Sequence, residues 1–268
     1  MQINQYRLGF LGFGHMAKAL CRAIDKSRLI PRSQILFCQR DLGRMKENQQ
    51  TFGITATSLK NLVDTSDLLL LCVRPSELEV LLKDLKALSL SHQWVISIVA
   101  GVKIAHIQTF LGKIPVIRAM PNLPTEVGMG MTTLSFSPES PLEFQSLSRL
   151  LFKGMGEIAE LPEIKMDIAT AIAGSGPAYV FALIEAAARL GEKNGIPYAV
   201  ARRMAAQTFL GAGKMILESP EAIQDLIQSI AVPNGITEAG FRAFREHKVE
   251  SGFEETLLAA FRRACELA

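Results

Sequence analysis

The chain reads as an α/β half built on a doubly wound parallel sheet, followed by an all-α half. Three observations predict this. Short apolar runs of strand length alternate with amphipathic helical patterns as far as about residue 160, the rhythm of parallel strands joined by crossover helices. Beyond that point strand signals stop and long helical patterns take over. Between the first strand and the first helix stands Gly12-Phe13-Gly14-His15-Met16-Ala17, a G-x-G-x-x-A turn in the setting where such turns bind a dinucleotide. The expected domains are 1–160, a Rossmann-type dinucleotide-binding domain, and 161–268, a helical domain.

Leu8, Phe10 and Leu11 end the first buried strand, and Ala17 to Ile24 continues as a helix. Gly12 allows the tight turn, Gly14 lets the backbone approach a pyrophosphate, and Ala17 lets the helix pack close to the sheet. The free N–H groups and dipole of the helix N-terminus favour the anion. His15 either touches a phosphate or stands in solvent as a loop histidine. Ile35-Leu36-Phe37-Cys38 is the second strand and ends at Gln39-Arg40-Asp41, where the adenosine ribose lies in this architecture. An acid at that tip suits NAD; an arginine suits the 2′-phosphate of NADP. Arg40 comes first and Arg44 follows one helical turn later, so NADPH is the expected cofactor. Asp41 keeps NADH as the alternative.

Asp67 to Val73 is apolar almost throughout, as befits a parallel strand covered on both faces. Glu77 to Leu88 is an amphipathic helix, and Trp94 to Val99 and Val116 to Met120 are further strands. Ligands bind beyond the carboxyl ends of such strands. Val73-Arg74-Pro75 and Met120-Pro121-Asn122-Leu123-Pro124 both lie there. Asn122 either hydrogen-bonds nicotinamide or substrate, or belongs to an ordinary proline-stiffened loop.

In the second half, Glu163 to Ala173 reads as a helix that Gly174-Ser175-Gly176-Pro177 interrupts. Pro177 suits a first helical turn, and Ala178 to Asn194 continues as a second or kinked helix. Ala199 to Leu217 is a third helix with a small-residue face that includes Gly211 and Gly213. Glycine inside a helix costs about 1 kcal/mol against alanine, so something is expected to lie against that face. Helix contact within an intertwined homodimer is the simplest explanation. Ile230 to Glu238 holds an Asn-Gly turn leading into a helix from near Thr237. Its free N–H groups either hold a carboxylate or are plainly capped by Thr237. Phe253 to Leu267 is a closing helix.

Net charge is +3, and no basic run is interleaved with aromatics among 3 Tyr and 1 Trp, so no nucleic-acid partner is expected. The cysteines, Cys21, Cys38, Cys72 and Cys265, are scattered, as are the four histidines. Buried free thiols and no metal site are therefore expected. Met1-Gln2-Ile3-Asn4-Gln5 lacks the basic and apolar segments of a signal peptide. No single apolar run reaches membrane-spanning length, and a soluble cytoplasmic protein is expected.

Taken in order, these residues resemble the pyrroline-5-carboxylate reductase family nearly end to end. The likeness rests on the G-x-G-x-x-A opening, Val73-Arg74-Pro75 and Arg118-Ala119-Met120-Pro121-Asn122. It is most specific at Gly174-Ser175-Gly176-Pro177-Ala178-Tyr179 and from Ala205-Ala206-Gln207-Thr208 to Gly211-Ala212-Gly213-Lys214-Met215. The resemblance implies NAD(P)H-dependent reduction of 1-pyrroline-5-carboxylate to L-proline, with hydride passing to the imine carbon. A protonated imine is already electrophilic, so the protein mainly orients it.

By the same resemblance Gly12, Phe13, Gly14, His15, Met16 and Ala17 serve the pyrophosphate and Arg40 the 2′-phosphate. Val73, Arg74, Pro75 and Asn122 serve the nicotinamide side. Ser175, Asn122, Gly235 and Thr237 meet the substrate. Gly235 and Thr237 N–H groups hold its carboxylate, and the Thr237 hydroxyl, the catalytic assignment, meets the ring nitrogen. The final loop comes from the partner of a homodimer, and such dimers often assemble into rings. The loop departs from the family's Ser-Pro-Gly-Gly pattern at Val232, Asn234 and Ile236. Two alternatives therefore stand beside the reductase: a diverged relative reducing another cyclic imine or keto acid, and a nucleotide-binding regulatory protein without turnover.

Overall fold

The computed structural model describes residues 3–267; Met1, Gln2 and Ala268, which the N-terminal reading and the expected domain limits include, lie outside the described residues. Two compact units emerge. One runs to Ser175 and includes the last turns from Phe261; the other is Gly176–Ala260.

The first unit alternates strands and helices: β1 Leu8–Leu11, α1 His15–Ser27, β2 Ile35–Cys38, α2 Leu42–Phe52, β3 Thr55–Ala56, α3 Leu59–Thr65, β4 Leu68–Leu71, α4 Pro75–Leu88, β5 Trp94–Ser97, α5 Ile104–Leu111 and β6 Val116–Met120. Then come β7 Gly130–Phe136, α6 Leu142–Lys153, β8 Gly156–Glu160 and the short α7 Met166–Ala169. The sheet order is β3-β2-β1-β4-β5-β6-β7-β8. Strands β1 to β6 are parallel, as expected for a doubly wound sheet. The last two extend it: β7 runs antiparallel to β6, and β8 parallel to β7. Apolar runs did not announce β7, because its buried positions include Thr132, Thr133 and Ser135. The order reverses between β1 and β4, the switch point where such sheets open a crevice.

Both sheet faces are covered. Phe10, Ile24, Phe37, Phe144 and Phe152 form one core layer, and Leu69, Leu71, Leu82, Leu85 and Val95 the other. Each such side chain contributes about 1.5–3 kcal/mol when fully buried. One charge sits among them. Arg118, in the middle of β6, is buried and donates from Nη2 to Asp167 Oδ1 at 2.7 Å. Its Nη1 lies 3.7 Å from Glu163 Oε1. The pair ties β6 to α7, and removing one partner of such a buried pair costs about 3–5 kcal/mol.

The second unit contains α8 Gly176–Lys193, α9 Tyr198–Glu218, α10 Ile223–Ile230, α11 Ile236–Glu246 and most of α12 Val249–Glu266. Helices α8 and α9 cross closely: a Cβ on Gly191 would stand 2.7 Å from Ala201 Cβ. The Tyr198 hydroxyl donates to Glu185 at 2.5 Å across the same crossing.

Sequence patterns predicted an interruption at 174–177, and the elements part there: one turn, Thr170–Gly174, widens into a π-helix, Ser175 is a bend whose N donates to Thr170 O at 3.0 Å, and α8 starts at Gly176. Taken together, the helical turns of Glu163–Lys193 are long and apolar enough to cross a membrane by length and composition. This corrects the expectation drawn from separate, shorter runs.

Candidate active site

The nucleotide turn forms where β1 is held between the ends of β2 and β4, with Leu11 in register with Cys38 and Leu71. Gly12 N donates to Cys38 O at 3.0 Å. Gly12 has φ +90°, and a Cβ there would stand 2.9 Å from Val73 Cγ1 and 3.0 Å from Cys72 O. Only glycine fits that conformation and that space. Gly14 is different. A Cβ on it would meet nothing within 4 Å, so the space beyond it is open to a ligand. The first bond of α1 is Lys18 N to Gly14 O. The N–H groups of His15, Met16 and Ala17 precede it, and no side chain caps them. Such a set of donors at a helix N-terminus suits a pyrophosphate.

The side chains of the turn divide sharply. The Phe13 ring lies in the core, 4.5 Å from Phe37 and 5.1 Å from Phe52 between centroids, so only its main chain faces a ligand. His15 is exposed and Met16 half-buried, while Ala17 is buried beneath the helix.

At the tip of β2, Asp41 is an N-cap. Its Oδ1 accepts from Arg44 N at 3.0 Å, and its Oδ2 lies 3.5 Å from Arg44 Nε. The carboxylate that would have favoured NAD is thus engaged by its own helix. Arg40 remains exposed, with Nη1 3.9 Å from Glu77 Oε1. Glu77 also accepts from Arg74 N at 3.3 Å through Oε2. Arg40 and the Val73-Arg74-Pro75 corner therefore meet at one carboxylate. Sequence reading assigned Glu77 no role, although it stands at the third position of α4, where an acid folds back on the cap residue. Burial pushes the Cys38 thiol up to about 11 and the Cys72 thiol well above its ordinary value. Neither thiol beside the turn is a thiolate nucleophile at neutral pH.

Asn122 follows β6 and is buried. Its Oδ1 accepts from Met131 N at 2.8 Å, and its Nδ2 donates to Ala173 O at 3.0 Å. Its carbonyl and one amide hydrogen are thus engaged inside the protein. Ser175 follows the π turn and is half-buried.

The last candidate loop lies in the second unit. Asn234 has φ +61°, the left-handed conformation that asparagine tolerates better than most residues. The departure from glycine at this position therefore keeps the turn. Gly235, not Thr237, is the N-cap of α11. Gly235 N donates to Val232 O at 3.0 Å and closes the turn. The first helical bond is Ala239 N to Gly235 O, leaving the N–H groups of Ile236, Thr237 and Glu238 ahead of it. Glu238 Oε2 accepts from Asn234 N at 2.7 Å and braces the turn.

Comparison with known proteins matches residues 163–267 to the family described as pyrroline-5-carboxylate reductase dimerisation, and residues 7–101 to NADP oxidoreductase, coenzyme F420-dependent. Pyrroline-5-carboxylate reductase 1 of Bacillus spizizenii is 32% identical over 268 residues, covering 99% of this chain and 90% of the relative. The Synechocystis pyrroline-5-carboxylate reductase is 33% identical, covering 97% and 98%. The Plasmodium falciparum pyrroline carboxylate reductase, solved with NADP bound, superposes with a TM-score of 0.91 at 26% identity, covering 98% of each chain. A glycine turn shaped for a pyridine nucleotide, an apolar helical segment of the dimerising kind and full-length relatives agree: the chain belongs to the pyrroline-5-carboxylate reductase family.

Proposed function

We propose that this enzyme reduces 1-pyrroline-5-carboxylate to L-proline with NADPH as the preferred reductant. The observation that carries the reading is the cradle at the end of β1. Gly14 stands beneath open space, with three N–H groups of α1 beside it, and the whole lies in a chain that aligns with reductases along nearly its full length. When bound, the reduced nicotinamide supplies the hydride. The protein's own task is to hold and orient.

In this reading Gly12, Gly14 and Ala17 shape the turn. Main-chain N–H groups from His15 to Ala17 hold the pyrophosphate, with Phe13 contributing only main chain. Arg40, freed from competition by the capping of Asp41, takes the 2′-phosphate. Val73, Arg74 and Pro75 border the nicotinamide, and Ser175 borders the substrate. In a homodimer the partner's 232–237 turn closes the site. N–H groups of Gly235 and Thr237 meet the substrate carboxylate, and the Thr237 hydroxyl meets the ring nitrogen. Residues 161–268 serve as the dimerisation and substrate domain, dimers assemble further into rings, and the enzyme works in the cytoplasm.

The test is NADPH oxidation with pyrroline-5-carboxylate. Turnover is expected; turnover only with other cyclic imines, or nucleotide binding without turnover on any, would replace the reading. In the same assay Thr237→Ala is expected to lower kcat about tenfold or more while leaving NADPH affinity unchanged, because one hydrogen bond to a charged group is worth about 1.5–3 kcal/mol. Unchanged turnover in that variant would remove the catalytic assignment.

A further inference from the structure

Pro177, the second residue of α8, has no main-chain N–H to donate. The carbonyl four residues back belongs to Ala173. In this fold the Ala173 carbonyl is met by a side chain from elsewhere in the sequence, Asn122 Nδ2, at 3.0 Å. The same amide accepts Met131 N, at the start of β7, at 2.8 Å. Asn122 is itself held by its neighbours: Pro121 and Pro124 flank it, and its own carbonyl accepts Thr125 N at 3.1 Å. The π turn Thr170–Gly174 comes within van der Waals reach of the β6 exit. A Cβ on Gly174 would lie 4.0 Å from Met120 Cγ. An uncharged amide is the side chain that both donates and accepts across this gap; an ionised aspartate only accepts.

We propose that Asn122 is a positioning residue of the reductase. Its amide replaces the main-chain bond that Pro177 deletes, and so fixes the π turn, and Ser175 after it, against the ends of β6 and β7. The kinetic consequence rests on the proposed reaction; the structural one does not.

Three variants test it. Asn122→Asp keeps the shape and the bond from Met131 but, when ionised, sets an acceptor against the Ala173 carbonyl. Its kcat is expected to fall roughly tenfold below the unsubstituted enzyme at pH 8. That gap should close as acidification protonates the carboxyl and restores a donor. A deficit that does not change with pH, or none at all, would overturn the proposal.

Asn122→Ala is followed by hydrogen exchange, which needs no substrate. The Met131 amide and the 170–175 amides are expected to exchange roughly tenfold faster; unchanged protection would overturn the proposal. Pro177→Ala returns an N–H to the Ala173 carbonyl. Adding it to Asn122→Ala should recover part of the lost protection over 170–175, and strictly additive effects would contradict the replacement. If the unsubstituted enzyme fails to turn over pyrroline-5-carboxylate, the proposed function falls, while the exchange results still decide the role of Asn122.

Discussion

The two halves of this chain bury their apolar residues differently. In the nucleotide unit, β1, β4 and the middle of β6 are fully enclosed, and even the ring of the nucleotide turn, Phe13, packs inward. In unit Gly176–Ala260 the apolar residues buried among those described are alanines, Ala188, Ala201 and Ala205. Phe181, Leu190, Met204 and Leu217 are left exposed, Leu217 by 79%. Large apolar side chains left exposed in such number mark an interaction face. The segment also matches a dimerisation family. One half closes on itself; the other is completed by a second copy of the chain. The small-residue face of α9 has the same logic, since glycine within a helix is tolerated where a neighbour packs close.

The largest effect is expected where that contrast is sharpest. Phe181→Glu sets a charge on the exposed apolar face of α8, and aromatic anchors of this kind carry about 2–4 kcal/mol each. Dimer dissociation should strengthen by at least about a hundredfold in sedimentation or light scattering. Fluorescence-detected binding of NADPH should survive, because the nucleotide turn has its own core. An unaltered dimer would show that α8 lies outside the interface.

A smaller effect is expected in the nucleotide half. Arg40→Ala should raise KM for NADPH roughly tenfold, the loss of one charge-assisted bond at an exposed site. KM for NADH should move far less, and dimerisation not at all. Equal effects on both nucleotides would mean that Arg40 does not read the 2′-phosphate.

The smallest effect concerns the thiols. Burial pushes Cys21 up to about 12 and Cys38 up to about 11, and Cys72 higher than its ordinary range, while Cys265 is exposed. At pH 8 a thiol reagent should label no more than Cys265 in the native enzyme and all four cysteines after unfolding. Fast labelling of a second thiol would show that the core beside the nucleotide turn opens readily.

Residue patterns made the parallel half legible because strand, turn and helix each carry a local signal there. Ile35–Cys38 and Val116–Met120 lie where their apolar runs placed them. The glycine turn is readable for the same reason: the demand on Gly12 comes from its own φ and its nearest strand ends. What escaped reading depends on partners distant in sequence. Strand β7 is stabilised by its place beside β6, and its Thr and Ser residues lack an apolar run. The π turn at 170–174 is met by Asn122, whose Nδ2 donates to the Ala173 carbonyl from a distant part of the sequence. The cap of α11 falls on Gly235, two residues before Thr237, where the turn closes through Gly235 N to Val232 O. The Asn-Gly pair predicts a turn but not which N–H it consumes. Asp41 shows a local signal with two readings: an acid at the tip of β2 serves a ribose or caps a helix, and here it caps α2.

The central claim is that each reaction site takes its nucleotide pocket from one subunit and its 232–237 turn from the other. Co-expressing Gly12→Ala, which blocks the turn by collision with Val73 and the Cys72 carbonyl, with Thr237→Ala tests it directly. Each variant alone is expected to be nearly inactive. In mixed dimers one site joins an intact pocket to an intact partner turn, so random pairing should restore about a quarter of the activity of the unsubstituted enzyme. Activity no higher than that of the two variants assayed separately would contradict the claim and return the site to a single chain.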